Sequence, residues 1–237
     1  MMLLLLLLLS GVRTAEASAD EIVFIAATNH AMPFSQFQDG ALTDGLIKDL
    51  GEAIGQRLGR QVRFFSVPSK RVPLALANGE ADGLCFSIPH WIDGNFNWSK
   101  PFLSTSSVLV ARAGSPVIKS FDALAGIAVG TVAGYRHPEM EAALGNRFVR
   151  EYAPFMESNF RKLEAGRMQY AIVEKLSFNY LTRFLPKHAI RIDLEFDRIQ
   201  ARCAFSPKSA IPFADTSRAI NSLIDDGSVE RMLARYR

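Results

Sequence analysis

The chain has 237 residues, 49% of them apolar and 22% charged, and a net charge of +3. That length supplies a core for one large or two small domains, while a slight, dispersed positive charge with no basic stripe argues against nucleic acid as a partner. Two cysteines and four histidines without metal-ligand spacing exclude a disulfide-rich scaffold and give no sign of a metal or other cofactor.

Leu3 to Leu9 is a leucine run far shorter than the ~20 residues that span a bilayer. Ala17-Ser18-Ala19 behind it fits the small-residue rule for leader cleavage, so residues 1–19 read as a signal peptide. Met1-Met2 brings none of the usual basic residues, and no nearby cysteine offers a lipid anchor. An exported chain beginning at Asp20 is the expectation.

Glu21 to Ala27 (EIVFIAA) predicts a strand, followed by the polar-aromatic loop Thr28 to Ser35 and a turn at Asp39-Gly40. Asp44 is expected to cap a helix that ends at Leu58-Gly59, with Leu46, Ile47, Leu50, Ile54 and Leu58 on one face. Gln61 to Val67 is the second strand. Ser69 should cap the next helix, with Pro73 in its first turn and Asn78-Gly79 at its end. Gly83 to Ile88 is an apolar run of the kind found in strands covered on both faces. This β-α-β-α-β order implies a parallel sheet with right-handed crossovers. The loop Ser87 to Trp91 then leaves the carboxyl end of a central strand, where open α/β sheets bind ligands.

Asp93 to Trp98 is turn-rich, and Pro101 to Arg112 predicts a long extended strand broken at Ala113 to Pro116. Leu124 to Tyr135 reads as a strand with a glycine-rich turn, before a helix over Pro138 to Leu144. Backbone N–H groups at such a start can hold a polar ligand atom, although Gly130-x-x-x-Gly134 lacks a nucleotide fingerprint. Phe160 to Glu174 repeats the helix, glycine and strand arrangement, and Leu163-x-x-Gly166-x-x-Gln169 matches the spacing of Leu76-x-x-Gly79-x-x-Asp82. Leu176 to Phe184 looks helical, Ile190 to Leu194 and Gln200 to Phe205 read as two short strands, and Phe213 to Arg237 as a helix pair hinged at Asp226-Gly227. Cys85 and Cys203 each sit in an apolar run; a disulfide and a pair of buried thiols both fit.

Pro33-Phe34-Ser35, Gly45-Leu46-x-x-Asp49-Leu50, Leu76-x-x-Gly79-x-x-Asp82, Trp98-Ser99-x-Pro101-Phe102, Leu124-x-Gly126-x-x-Val129-Gly130-x-x-x-Gly134-Tyr135 and Ile224-x-x-Gly227-x-x-x-x-Met232-x-x-x-Tyr236 follow one another in order. Together they resemble the extracellular (periplasmic) solute-binding proteins of family 3, which serve polar amino-acid ABC transporters. The resemblance implies an α/β, two-lobed periplasmic-binding-protein type II fold. Each lobe would be a mostly parallel sheet flanked by helices, with two crossing strands between them. Residues 20–111 and 195–237 would form lobe one, and 112–194 lobe two. It also implies a periplasmic monomer that closes on a small polar solute and docks transiently on a membrane permease.

The candidate ligand-binding residues are Phe34 and Trp91 as stacking walls, Arg71 at a helix start, Ser87 at a strand end, Thr131 and Tyr135 around the glycine turn, and Glu174. Family members that bind α-amino acids hold the carboxylate with an Arg in Thr-x-x-Arg and the ammonium with an Asp. This chain has no Arg or Lys between Asp82 and Lys100, and Glu174 stands at the Asp position. A guanidinium clamp has no one-for-one substitute in His90 or Trp91, so an ordinary α-amino acid is not the expected solute. No nucleophile motif appears, and the chain reads as a non-enzyme. The alternatives are a cyclohexadienyl dehydratase-like enzyme with Glu174 as the acid, and a ligand-sensing module without transport.

Overall fold

The computed structural model describes residues 20–186 and 189–236. The leucine run and the Ala19 cleavage point lie outside these residues. The first lobe begins with β1 (Glu21–Ala27), a hairpin of β2 (Gln36–Gln38) and β3 (Ala41–Asp44), α1 (Leu46–Leu58), β4 (Gln61–Val67), α2 (Val72–Asn78), β5 (Gly83–Ser87) and β6 (Asn97–Trp98). The chain crosses on β7 (Leu103–Arg112) and builds the second lobe from β8 (Ala128–Val132), α3 (Pro138–Leu144), β9 (Val149–Ala153), α4 (Met156–Glu164), β10 (Tyr170–Glu174) and α5 (Lys175–Leu181). It returns on β11 (Ile190–Phe205) and ends with α6 (Phe213–Asp225) and α7 (Ser228–Ala234).

Hydrogen bonding joins the strands in the order β4-β1-β5-β11-β7-β10-β8-β9, with β6 on β11. β1 pairs in parallel with β4 and β5, and β8 with β9 and β10; β11 runs antiparallel to β5 and β7. The two-residue period of a strand explains the layers. Ile22, Phe24 and Ala26 face a core closed by α1, α6 and α7, while Val23, Ile25 and Ala27 face one closed by α2. In the second lobe Val108 and Val110 point toward α4 and α5, and Leu109 and Ala111 toward α3.

The motif residues have mechanical roles. Asp82 accepts from the Val23 N–H (2.8 Å) and the Ser209 hydroxyl (2.6 Å), fastening β1 to the segment after β11. Asp49 accepts from the Tyr236 hydroxyl (2.8 Å) and Arg235 Nη1 (2.9 Å), fixing the terminal helix on α1. Gly59, Gly79 and Gly227 sit at helix ends with φ of 65°, 77° and 73°, the left-handed region that costs glycine least.

Three expectations change. The two short strands after residue 189 are one 16-residue strand, β11. Asp44 does not cap α1: Gly45 occupies that position, and Asp44 accepts from its N–H. Ser69 does not cap α2 either; it opens a short 3-10 turn (Ser69–Arg71), and its hydroxyl donates to Asn29 Oδ1 (2.6 Å).

Cys85 and Cys203 face one another across β5 and β11 and form a disulfide. The bond spans 118 residues of chain, so it removes much loop freedom from the unfolded state. Replacing both cysteines with alanine, or reducing the bond, is expected to cost about 2–5 kcal/mol in urea unfolding, the usual range for a native bridge. An unchanged midpoint would show that the bridge adds nothing.

Candidate functional site

A cavity of about 90 Å³ lies where the loops at the strands' carboxyl ends converge from both lobes. Five of the seven sequence-predicted residues line it: Phe34, Ser87 and Trp91 from lobe one, and Tyr135 and Glu174 from lobe two.

Local chemistry places each of them. The first N–H groups of α1 have no partner within the helix. Leu46 N–H and Ile47 N–H donate instead to the carbonyls of Pro33 (2.8 Å) and Phe34 (3.0 Å), which sets the Phe34 loop on the helix end. Gly45 permits this approach, since a Cβ there would come within 2.5 Å of the Phe34 carbonyl oxygen. Phe34 stacks on Phe86 with centroids 3.7 Å apart. Phe86 reaches that ring because β5 bulges. Its φ is +64°, the pairing with β11 shifts opposite it, and it joins Cys85 in the same core layer instead of alternating. A bulky residue at positive φ is backbone strain of the sort that clusters at binding sites. Trp91 meets Phe86 edge-on at 5.9 Å.

His30 completes the aromatic wall, edge-on to Phe34, Phe86 and Tyr135 at 5.9–6.3 Å. The ring is partly exposed, but its Nδ1 is buried without a partner, and burial pulls its pKa down to about 4. Its place in the polar-aromatic loop after β1 is the signal the sequence offers, although it stands apart from the other histidines. Trp91 Nε1 and Ser177 Oγ are likewise buried without a partner on residues that line the cavity.

Glu174 is 7% exposed, at the end of β10. It caps α5: Oε2 accepts from Ser177 N–H (2.9 Å), and Oε1 takes the Thr105 hydroxyl of β7. Burial nonetheless dominates and pushes its pKa up to about 7, against those hydrogen bonds and the neighbouring Lys175.

Two candidates lie elsewhere. Arg71 does not line the cavity: its guanidinium pairs with Glu80 (2.7 Å) at the surface and lies over Phe65, because the turn that carries it faces outward. Thr131 is fully buried beneath the cavity wall and hydrogen-bonded to His137 Nε2 (2.6 Å). His137 itself lines the cavity, and its burial, with Arg150 nearby, holds its pKa at about 3.

Contacts across the cleft hold the lobes together. Arg136 donates to both carboxylate oxygens of Asp93 and to the His90 carbonyl (3.3 Å). Asn29 accepts from Ser69 on its own lobe while its Nδ2 donates to the Ala133 carbonyl (3.2 Å); the Tyr135 hydroxyl donates to the Asn29 carbonyl (3.4 Å). Gly134 lies flat against Lys70, where a Cβ would come within 2.9 Å of Lys70 Cγ. Asn29 had no signature in the sequence beyond its loop.

Comparison with known proteins gives three findings. The model of one family, bacterial extracellular solute-binding proteins, family 3, matches residues 23–237. No curated protein sequence matches the chain. Similar solved structures include an ancestral arginine-binding protein bound to arginine (20% identity, TM-score 0.78, covering 92% of this chain and 98% of that one). A histidine kinase sensor domain with similarity to periplasmic binding proteins follows at 20% identity and TM-score 0.77, covering 91% and 95% of the two chains. The ancestral amino acid-binding protein AncCDT-1, a precursor of cyclohexadienyl dehydratase, has 15% identity and TM-score 0.75, covering 92% and 95%.

The raised Glu174 pKa has a signed consequence. Below the ordinary value of 4.5 the carboxyl is protonated folded and unfolded; between 4.5 and about 7 only the unfolded chain ionises. Stability is therefore present at low pH and lost as pH rises through 7. Relative to Glu174→Gln, the wild type is expected to lose on the order of 3 kcal/mol between pH 4 and pH 8, measured by urea unfolding. His30 and His137 are common to both proteins and cancel in the comparison. A pH-independent difference would mean that Glu174 ionises normally.

Proposed function

Because the chain belongs to the bacterial extracellular solute-binding proteins, family 3, we propose that it captures a small polar solute between its lobes and presents the closed form to a membrane ABC permease. The solute is amino-acid-like, but not an ordinary α-amino acid. The protein works as a periplasmic monomer after its leader is removed near Ala19. Residues 20–111 with 195–237 close against 112–194, and the bend falls in β7 and β11. Phe34, Ser87, Trp91, Tyr135 and Glu174 contact the solute.

The observation that carries this reading is a cavity walled from both sides, with Phe34, Ser87 and Trp91 facing Tyr135 and Glu174. A ligand shifts an open–closed equilibrium only through contacts that differ between the two states, and a guest touching both walls makes half of them only on closure. The arginine-binding neighbour supports a solute of amino-acid size. The sensor-domain neighbour has the same shape, so capture for signalling fits the same cavity.

An enzymatic reading rests on Glu174, because a buried acid that keeps its proton near neutral pH is suited to protonating a leaving hydroxyl. Prephenate turnover that disappears in Glu174→Gln would establish it. Against it stands the missing carboxylate clamp: Arg71 is engaged at the surface, and Arg136 with Asp93.

A solute present at ~100 times its Kd should stabilise the protein by about 2.7 kcal/mol in thermal melts. Phe34→Ala and Trp91→Ala are expected to weaken its binding tenfold or more, with Arg71→Ala unchanged. Gly134→Val should weaken it as strongly, both by meeting Lys70 across the cleft and by straining a turn at φ +94°, and the solute-induced contraction in small-angle scattering should vanish. Normal closure in Gly134→Val would remove the proposed contact from the mechanism.

A further inference from the structure

The cavity is one-sided in charge. Glu174 is the carboxyl that lines it; among the described residues no lysine lines it, and its arginine, Arg136, is spent on Asp93 and His90 at the rim. Both lining histidines are held neutral by burial. The remaining wall is largely aromatic, from Phe34, Phe86, Trp91 and Tyr135, and aromatic faces carry negative potential that favours cations. Among the described residues, the one cation an anionic guest would meet is Arg136, at the rim and already on both oxygens of Asp93, and a carboxylate desolvated deeper in without a partner is among the costliest groups to bury.

The unpartnered atoms add a second constraint. Trp91 Nε1 only donates, so a guest that satisfies it carries an acceptor. Ser177 Oγ and His30 Nδ1 accept or donate as needed. Trp91 belongs to lobe one and Ser177 sits beside Glu174 in lobe two, so a guest serving both ends bridges the cleft. The space of about 90 Å³ in this conformation is smaller than the ~150 Å³ of an engineered cavity that admits benzene, and suits a compact guest.

Resting on the capture reading above, we propose that the solute is a small organic monocation without a carboxylate, an amino alcohol or amino amide, with its ammonium at Glu174 and its oxygen toward Trp91. The aromatic wall and the carboxylate share the positive charge, and the neutral oxygen satisfies the indole N–H without demanding a counter-ion. Glu174 gives up its proton to the buffer as the cation binds. Around it stand Lys175 on α5, already paired with Glu195 of β11, the hydroxyl of Thr105 on β7, and Tyr135 on the glycine turn, which also feels the carboxyl of Glu157 on α4.

Matched compounds test this on the wild-type protein by calorimetry at pH 7: ethanolamine against serine and glycolate, and glycinamide against glycine. At least one amine is expected to bind tenfold or more tightly than its carboxylate-bearing counterpart, glycolate to give no heat, and binding heats to vary with buffer ionisation as the proton leaves. Glu174→Gln should reduce amine affinity at least tenfold; the wild-type comparison stands whether or not that variant folds. Serine or glycine binding as tightly as the amine would overturn the inference while capture itself survives. Absence of binding by cations, zwitterions, anions and neutral sugars alike would overturn both.

Discussion

The antiparallel pairing of β7 with β11 is the constraint from which the rest of the molecule hangs. It runs from Leu103 opposite Ala201 to Arg112 opposite Ile190, so two strands serve both lobes at once. At one end β11 pairs with β5, and at the other β7 pairs with β10. The ladder is interrupted near Asp193 and Asp197, and at each place a carboxylate does what backbone pairing cannot. Asp193 accepts from the Ile118 N–H and from Arg191; Asp197, at φ +45°, exchanges hydrogen bonds with Glu139 at the start of α3. The irregularities that let the strands bend are thus tied to the second lobe.

Those same acids explain what the sequence concealed. β1, β4 and α3 are legible at their observed ends because their apolar periods are clean and their flanks carry glycine, proline or turn residues. β11 reads as two fragments because Asp193, Glu195 and Asp197 interrupt its apolar pattern, and apart from Arg191 beside Asp193 their partners lie about 20 to 90 residues away. Asp44 and Ser69 look like helix caps because local propensity favours that role. A bond to the adjacent Gly45 N–H and distant ones to Tyr236 and Asn29 take those side chains instead.

The candidate site divides the same way. Loops after strands advertise themselves by composition, which is why Phe34, Ser87, Trp91 and Glu174 were found. Phe86 hides inside an apolar strand run, since nothing in the local letters announces a bulge. Arg71 and Thr131 lie at suitable points of the chain but face outward and inward, and orientation about a helix start or beneath a turn depends on packing from distant segments. A carboxyl kept close to neutrality, a strained Phe86 and four buried polar atoms without partners, on His30, Trp91, His137 and Ser177, all oppose stability. Their gathering at one cavity is what a surface prepared for a guest looks like, with local rules broken only where binding compensates.

The Cys85–Cys203 bond gives the second lobe an unusual covalent status. The second lobe lies wholly between those residues, an insertion whose two roots are sewn together in lobe one. A protease that nicks any loop of the inserted lobe leaves both fragments on one molecule, still aligned by β5 and β11. Separating the fragments of such a nicked chain requires a reductant as well as the cut.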